Sequence, residues 1–253
     1  MNCRLLSSGF SDGFFNMAVD GALLRSCAEQ ASAPALRFYG WEPPAVSVGY
    51  FQDADDFRAL PGFSEYDIVK RLTGGGAILH DRELTFSLVC REKDGLLPED
   101  VFLSYGAVCR ALIAGLAALG IPARTRGGGS PGSPVSGAER KSPYFCFEKP
   151  SGFDVVASGR KLAGSAQRRS SGAILHHGSI LLGRGRAEGS VSVEEAAGKP
   201  VSFNELSAAV LVGFKEVLGA EFAEGGLTGF ETGLVNELLE TKGGVNHESY
   251  SKG

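Results

Sequence analysis

Three consecutive glycines, Gly74-Gly75-Gly76, separate two short apolar segments. Without Cβ atoms they permit positive φ angles and let a ligand rest directly on the backbone. The loop lacks the Gly-Lys-Ser/Thr ending of a nucleotide-binding P-loop. The segment after it reads as a strand, whereas a dinucleotide-binding fingerprint would continue into a helix. A strand–loop–strand unit is therefore predicted, either as a tight turn or as a ligand-binding loop. The flanking Lys70, Arg71 and His80 favour a ligand-binding loop over a simple tight turn.

Composition and charge are those of an ordinary globular protein, with 43% hydrophobic and 21% charged residues among 253. A net charge of −4 gives no support for a nucleic-acid-binding surface, and an acidic partner would need a local basic patch. No apolar run approaches the roughly 20 residues that span a bilayer, and no secretory signal is recognised. The five cysteines form no C-x-x-C pair. We therefore expect a reduced, cytoplasmic protein without membrane or nucleic-acid partners.

Hydrophobic periodicity predicts four helices and eight strands. The helices are expected at 16–29, 100–119, 202–218 and, more weakly, 232–240. The strands are expected at 35–41, 45–50, 68–71, 77–80, 84–90, 153–157, 161–166 and 174–182. Two antiparallel hairpins are expected, one joining 77–80 to 84–90 and one turning at Ser158-Gly159.

In 84–90, Leu84, Phe86 and Leu88 alternate with Thr85, Ser87 and Val89, which predicts a strand packed mainly on one face. The Gly/Ser/Pro-rich segment 126–142 is predicted to be a mobile loop, either a surface insertion or a lid. The polar tail 243–253 is expected to fray. With no linker in view, the whole chain 1–253 is predicted to form a single domain.

Cys146 and Lys161 are the main chemical candidates. A nearby cation lowers the pKa of a thiol, so Lys161 would activate Cys146 if the fold brings them together. A lone cysteine is more often a small core residue, and the lysine could be a charge on an edge strand. His176 and His177 point to opposite faces of a strand, so a metal site is not expected, although one of the two could face a pocket.

Several segments in the right order resemble the biotin/lipoate protein ligase family, over roughly residues 10–220. They are Asn16–Asp20, Trp41–Pro44, Gly49–Gln52, Arg71–Asp81, Gly159–Gln167 and His177–Ser179. The resemblance implies an α+β fold, a mixed β-sheet flanked by helices and akin to class II synthetase cores.

One branch of this family, the Gram-positive-type octanoyltransferases, is especially similar. It has Cys-Phe-x-x-Pro-Ser ahead of Gly-x-Lys-x-Ala-Gly-Ser-Ala-Gln, which matches Cys146–Ser151 and Gly159–Gln167 here. The resemblance implies a transfer of octanoyl from acyl carrier protein, through a Cys146 thioester, to a lysine of a lipoyl-domain protein. Glycine cleavage H protein and a 2-oxoacid dehydrogenase E2 subunit are the expected kinds of acceptor. Cys146 and Lys161 would be catalytic, and the substrate would be held by Arg71, Gly74, Gly75, Gly76, His80, Gly164, Ser165, Ala166 and His177.

Two alternatives stay open. An ATP-dependent lipoate ligase would use Lys161 on the activated acid, would need ATP and Mg²⁺, and would leave Cys146 incidental. A non-catalytic member of the fold would only bind an acyl group. The octanoyltransferase interpretation requires no cofactor and no metal.

Overall fold

A computed structural model of the chain describes residues 1–127, 151–183 and 189–240, which form two sheets and six α-helices. The strands are β1 (Asn2–Ser11), β2 (Ala35–Trp41), β3 (Ala45–Val48), β4 (Asp67–Lys70), β5 (Ile78–His80), β6 (Glu83–Arg91), β7 (Ala123–Thr125), β8 (Val155–Ala157), β9 (Arg160–Ser170), β10 (Ala173–Leu181) and β11 (Glu221–Glu224). The helices are α1 (Gly13–Ala28), α2 (Ala54–Arg58), α3 (Val101–Ala118), α4 (Val193–Ala197), α5 (Phe203–Leu218) and α6 (Gly229–Glu240).

The larger sheet has eight strands in the order β11-β1-β2-β6-β10-β9-β8-β7. Its first three strands are parallel, and the others run antiparallel to their neighbours. Helices α3 and α5 cover one face over the main apolar core. The other face carries α1 and α6, with a second apolar cluster. This mixed sheet flanked by helices confirms the predicted fold class.

The smaller sheet has three strands in the order β4-β3-β5. Its strand β5 pairs with β3, whereas β6 pairs with β2 and β10 of the larger sheet. The hairpin predicted between 77–80 and 84–90 is therefore wrong. The chain instead crosses from one sheet to the other between His80 and Glu83, whose side chains meet at 2.6 Å.

The second predicted hairpin, β8 to β9, is confirmed. Ser158 and Gly159 both have positive φ, 50° and 76°, as a two-residue turn between right-twisted strands requires. The capping box that opens α5 is also confirmed, because Ser202 and Glu205 each bond the other's backbone N–H.

Strand β6 is buried on both faces, which corrects the prediction of one-sided packing. Leu84, Phe86 and Leu88 join the core under α3 and α5. Thr85 and Ser87 are also buried, since Ser87 bonds Asp20 of α1 and Thr85 lines a pocket together with Ser47 and Ile78 of the smaller sheet. The polar half of the alternation thus faces an enclosed site.

Strands β1, β7 and β11 and helices α2 and α4 were absent from the sequence prediction, and α1 and α6 each begin three residues earlier than expected. Strand β1 is held by parallel partners on both sides, β11 and β2, which local alternation does not reveal. All of the loop 126–142 except its first two residues, and all of the tail 243–253, lie outside the described residues. The single-domain assignment stays a prediction.

Helix α3 is the one helix in the described residues that is long and apolar enough to cross a membrane, with a mean hydropathy of 1.7. Its Ala107, Val108, Leu112 and Leu116 belong to the main core. Gly115 of α3 and Gly213 of α5 lie against the backbone of the partner helix, where a Cβ would come within 2.7 Å and 2.0 Å of a carbonyl oxygen. The apolar character of α3 therefore serves packing inside the fold.

Candidate active site

A pocket with an empty volume of about 470 Å³ lies between the larger sheet, α1 and the smaller sheet. The pocket is lined by Met17, Tyr39, Trp41, Ser47, Arg71, Gly75, Ile78, His80, Thr85, Gly164, Ser165, Ala166, His177, Gly178 and Ser179. Seven of the eleven predicted site residues are among them: Arg71, Gly75, His80, Gly164, Ser165, Ala166 and His177.

Asp20 anchors the first of two buried polar networks around the pocket. Its carboxylate accepts hydrogen bonds from Arg37 at 3.0 Å, Tyr39 at 2.9 Å and Ser87 at 2.8 Å. Burial alone would raise the pKa of Asp20, but the hydrogen bond from His177 and the charge of Arg37 outweigh it and lower that pKa. Asp20 is therefore ionised at neutral pH.

His177 connects this network to the glycine loop. Because an ionised carboxylate only accepts, His177 donates from Nδ1 to Asp20 Oδ2 at 3.1 Å. Its Nε2 lies 2.6 Å from the Thr73 hydroxyl, directly before Gly74. The orientation of the imidazole, and with it the start of the loop, is thus set from α1.

Glu83 anchors the second network. Its carboxylate lies 2.6 Å from His80 Nδ1 and accepts from the Thr85 and Ser179 hydroxyls, each at 2.6 Å. Burial would raise the pKa of Glu83, but the positive charge and hydrogen bond of His80, with the two hydroxyls, lower it. The His80 ring also stacks on Trp41 with centroids 3.8 Å apart.

This second network ends on the other side of the glycine loop. His80 Nε2 lies 2.7 Å from the Ser47 hydroxyl, and Arg71 donates to the same hydroxyl at 3.1 Å. The second guanidinium nitrogen of Arg71 donates to the carbonyls of Gly74 at 3.0 Å and Gly76 at 2.7 Å. Arg71 therefore shapes the loop from beneath, and Gly75 takes the positive φ of 98° that the bend requires.

Lys161 is buried, with 2% of its surface exposed, on a strand that lies between β8 and β10. Its ammonium lies 2.7 Å from Asp154 Oδ1. A Cβ at Gly164 would come within 3.0 Å of the lysine Nζ, so only glycine leaves room for this side chain beside the pocket wall. Burial and pairing argue against a solvent-facing charge on an edge strand.

His176 faces the opposite side of the larger sheet from His177, as the strand period predicts. It lies 2.9 Å from the Ser165 hydroxyl and packs against the Tyr105 ring. Burial, the neighbouring His177 and Arg169 lower the pKa of His176 to about 3, so it is neutral. Within the described ranges, no group of three or more His, Cys, Asp or Glu side chains could hold a metal ion.

Cys146 lies outside the described residues. The four other cysteines are buried and free of disulfides. Burial raises the pKa of all four thiols. For Cys27 the pKa rises to about 11, and for Cys109 to about 12. None of these four offers an accessible thiolate at neutral pH.

Sequence reasoning missed the two anchoring carboxylates, the aromatic wall formed by Tyr39 and Trp41, and the partner of Lys161. A signal for Asp20 was available, because Asn16 and Asp20 form an i,i+4 polar pair within the otherwise apolar stretch 13–24. Glu83 directly precedes the strand predicted at 84–90, whose polar half was not expected to face a packed region.

The model of the lipoyl protein ligase A/B catalytic domain matches residues 12–188. The chain belongs to this family. The resemblance inferred from the motifs is thereby confirmed, and the matched range contains both carboxylate networks, the glycine loop and Lys161.

Relatives of similar length carry a more specific name. An octanoyltransferase LipM of Symbiobacterium thermophilum is 39% identical over 280 residues, with 99% of each chain covered. The octanoyltransferase LipM of Bacillus subtilis is 33% identical, with 98% of each chain covered.

Solved structures share the fold. A lipoate-protein ligase A bound with ATP superposes with a TM-score of 0.76 at 27% identity, covering 96% of both chains. A bipartite lipoate protein ligase from Thermoplasma acidophilum gives a TM-score of 0.70 at 25% identity, covering 96% of this chain and 93% of the other.

Proposed function

We propose that this chain is an octanoyltransferase of lipoate biosynthesis. It moves an octanoyl group from acyl carrier protein, through a thioester on Cys146, to a lysine of a lipoyl-domain protein. Acceptors of this class include glycine cleavage H protein and a 2-oxoacid dehydrogenase E2 subunit. The reaction places the enzyme beside its carrier in the cytoplasm. The observation that carries the proposal is the match, over nearly the whole chain, to several relatives named octanoyltransferase.

The pocket supports an acyl substrate. Met17, Tyr39, Trp41 and Ile78 give it an apolar wall suited to a hydrocarbon chain. Backbone without side chains borders it at Gly75, which brings peptide groups close to the ligand. The two buried networks hold this loop from both ends, so its geometry exists before substrate binds.

The cysteines support Cys146 as the nucleophile. Four of the five are buried thiols with raised pKa values, so they are poor nucleophiles. The fifth, Cys146, lies in the motif that matches the transferase pattern. The Cys146 thiolate attacks the octanoyl carbonyl, the new carbon–sulfur bond forms as the bond to the carrier sulfur breaks, and the carrier leaves as a thiol after gaining a proton. The acceptor amine then attacks the acyl-enzyme, loses a proton as the amide forms, and releases Cys146. No nucleotide or metal is consumed.

Lys161 supplies a compact positive charge beside the pocket. We assign it to stabilising the thiolate and the negative charge that develops on the acyl oxygen. Its bond to Asp154 and the clearance at Gly164 hold the ammonium in one place.

An ATP-dependent lipoate ligase is the second candidate, because lipoate-protein ligase A bound with ATP shares the fold. The described residues fit the acyl part of such a ligand. The transferase is favoured because relatives that match nearly the whole chain at 33–39% identity are named octanoyltransferase, whereas this ligase structure is 27% identical.

A lipoyl domain is the acceptor in the experiment that separates the two functions. We expect octanoylation from octanoyl-acyl carrier protein at the same rate with and without ATP and Mg²⁺. Mass spectrometry of the lipoyl domain measures this rate. Attachment of free octanoate or lipoate that depends on ATP, with none from the carrier, would establish the ligase instead. Failure of both reactions would favour a member of the fold that only binds acyl groups.

A further inference from the structure

Phe51 is the most exposed large apolar side chain among the described residues, with 89% of its surface open to solvent. It sits on a tight turn, where Gln52 N–H donates to the Gly49 carbonyl at 2.9 Å and Gly49 N–H donates to the Gln52 side chain at 2.9 Å. A single exposed apolar residue is common on protein surfaces, so the significance of Phe51 depends on what surrounds it.

The turn is fixed to the glycine loop. Tyr50 N–H donates to the Thr73 carbonyl at 2.8 Å, and a Cβ at Gly49 would come within 2.0 Å of the Gly75 carbonyl oxygen. The Phe51 ring lies 3.9 Å from the Cβ position of Gly74. Because Gly75 lines the pocket, a partner that covers Phe51 rests directly beside the pocket.

Two cations flank this turn. The Arg168 guanidinium lies 4.7 Å from the centre of the Tyr50 ring, and the Lys70 ammonium lies 6.0 Å from it. Neither has a carboxylate within 4.0 Å anywhere in the described part of the chain. The adjacent Arg169, by contrast, is paired with Glu92 at 3.3 Å.

Arg168 also has an unfilled donor. Its guanidinium donates to the Leu72 carbonyl at 3.3 Å, which fixes its direction beside the loop. Its Nε is buried without a hydrogen-bond partner within the described ranges. Among the described residues this positive charge is therefore localised and has no carboxylate partner, in a protein whose net charge is −4.

We propose that Phe51, Lys70 and Arg168 form the docking surface for the acidic acyl carrier that donates the octanoyl group. This inference rests on the proposed function. A carrier presents its acyl thioester on an arm attached through a phosphodiester, and its acidic surface complements the two cations. The acceptor fits less well, because its attacking lysine presents no anionic group to these two cations.

The test compares a carrier-bound substrate with a small one. Acyl-enzyme formation is measured by rapid-quench mass spectrometry with octanoyl-acyl carrier protein and with the uncharged thioester octanoyl-N-acetylcysteamine. We expect Phe51→Ala, Lys70→Glu and Arg168→Gln each to lower kcat/KM for the carrier about tenfold, and to leave the small thioester unchanged. The matched controls Phe230→Ala and Lys199→Glu alter an equally apolar and an equally charged exposed residue elsewhere, and should leave both substrates unchanged.

Salt gives a second readout. Raising NaCl should slow loading from the carrier in the wild type, and much less in the double variant Lys70→Glu/Arg168→Gln. Equal losses with both thioesters would overturn the proposal, since they would indicate a disturbed pocket. A loss confined to transfer onto the lipoyl domain would assign the surface to the acceptor, and unchanged rates would also overturn it.

A binding measurement keeps the two proposals separable. If neither thioester acylates the wild type, the proposed function fails, and docking is then judged by fluorescence anisotropy of labelled carrier protein. Weaker binding in the three variants would still support the docking surface. Equal affinity in wild type and variants would refute it.

Discussion

The two faces of the eight-stranded sheet differ in what they bury: one buries apolar side chains, and the other also buries charged and polar side chains. Under α3 and α5, the face is a continuous apolar core whose close helix contact depends on Gly115 and Gly213. Under α1 and the smaller sheet, the face buries two ionised carboxylates, Asp20 and Glu83, with their hydrogen-bond donors. Buried ion networks seldom stabilise a fold more than apolar packing of the same size would. The difference indicates that the face under α3 and α5 contributes packing alone, whereas the face under α1 combines a second apolar cluster with a fixed site geometry.

Phe214→Ala should give the largest change in the free energy of unfolding. Phe214 is fully buried on α5 and packs on Phe86 with ring centres 5.6 Å apart, so truncation leaves a cavity costing about 3–5 kcal/mol. Urea unfolding measures the loss, and octanoyl transfer is then normalised to the folded fraction. Normalised activity should be retained. A variant that keeps its stability but loses transfer would break the distinction between the two faces.

Lys161→Ala tests the site face. Transfer should fall about 100-fold, the size expected when one preorganised charge is removed. Among the described residues, the substitution also leaves the buried Asp154 carboxylate with the Arg126 guanidinium and the Ser151 N–H as partners, so some stability is lost.

The double variant Lys161→Ala/Asp154→Asn separates these effects, because it removes the unbalanced charge. Its melting temperature should recover while its transfer rate does not. Lys199→Ala is the control for an exposed lysine. Normal turnover in Lys161→Ala would show that the buried pair is structural only.

The apolar face was accessible to sequence reasoning and the site face only partly so. The stripes of α3 and α5 follow the helical period, and the turn at Ser158-Gly159 has its own local signal. Glu83, Thr85 and Ser87 also alternate as a strand should, but alternation alone does not tell a solvent-facing side from a side that a second sheet covers. Pairings distant in sequence, such as β1 with β11, leave no local pattern at all.

The site residues show the same limit. Glycine and lysine motifs located the pocket wall, because their chemistry is unusual in a strand. The roles of Asp20, Glu83 and Asp154 depend on partners that folding brings from other elements: His177, His80 and Lys161. Spacing along the chain does not predict those contacts.

His176 provides a smaller, pH-dependent contrast. Its pKa is lowered from 6.5 to about 3 in the folded protein. Between pH 3 and pH 6.5, His176 is therefore protonated in the unfolded chain and neutral in the folded chain. This contribution to stability is complete above pH 6.5 and is lost as the pH falls below it, by about 2 kcal/mol at pH 5. Asp20 and Glu83, whose pKa values are lowered from 3.8 and 4.5, lose their contributions only in more acidic solution.

Thermal melts between pH 7.5 and pH 5 measure this effect. The wild type should lose stability across that interval, and His176→Asn should show a flatter dependence because the replacement does not titrate. An equally steep loss in both proteins would assign the pH dependence to other groups.

Intact-mass spectrometry after mixing the protein with octanoyl-acyl carrier protein, without nucleotide, tests the proposed covalent transfer most directly. We predict a gain of one octanoyl group that hydroxylamine removes, that is absent in Cys146→Ala and that is retained in Cys3→Ala, whose thiol is buried. Near-normal acylation or transfer by Cys146→Ala would contradict the thioester mechanism.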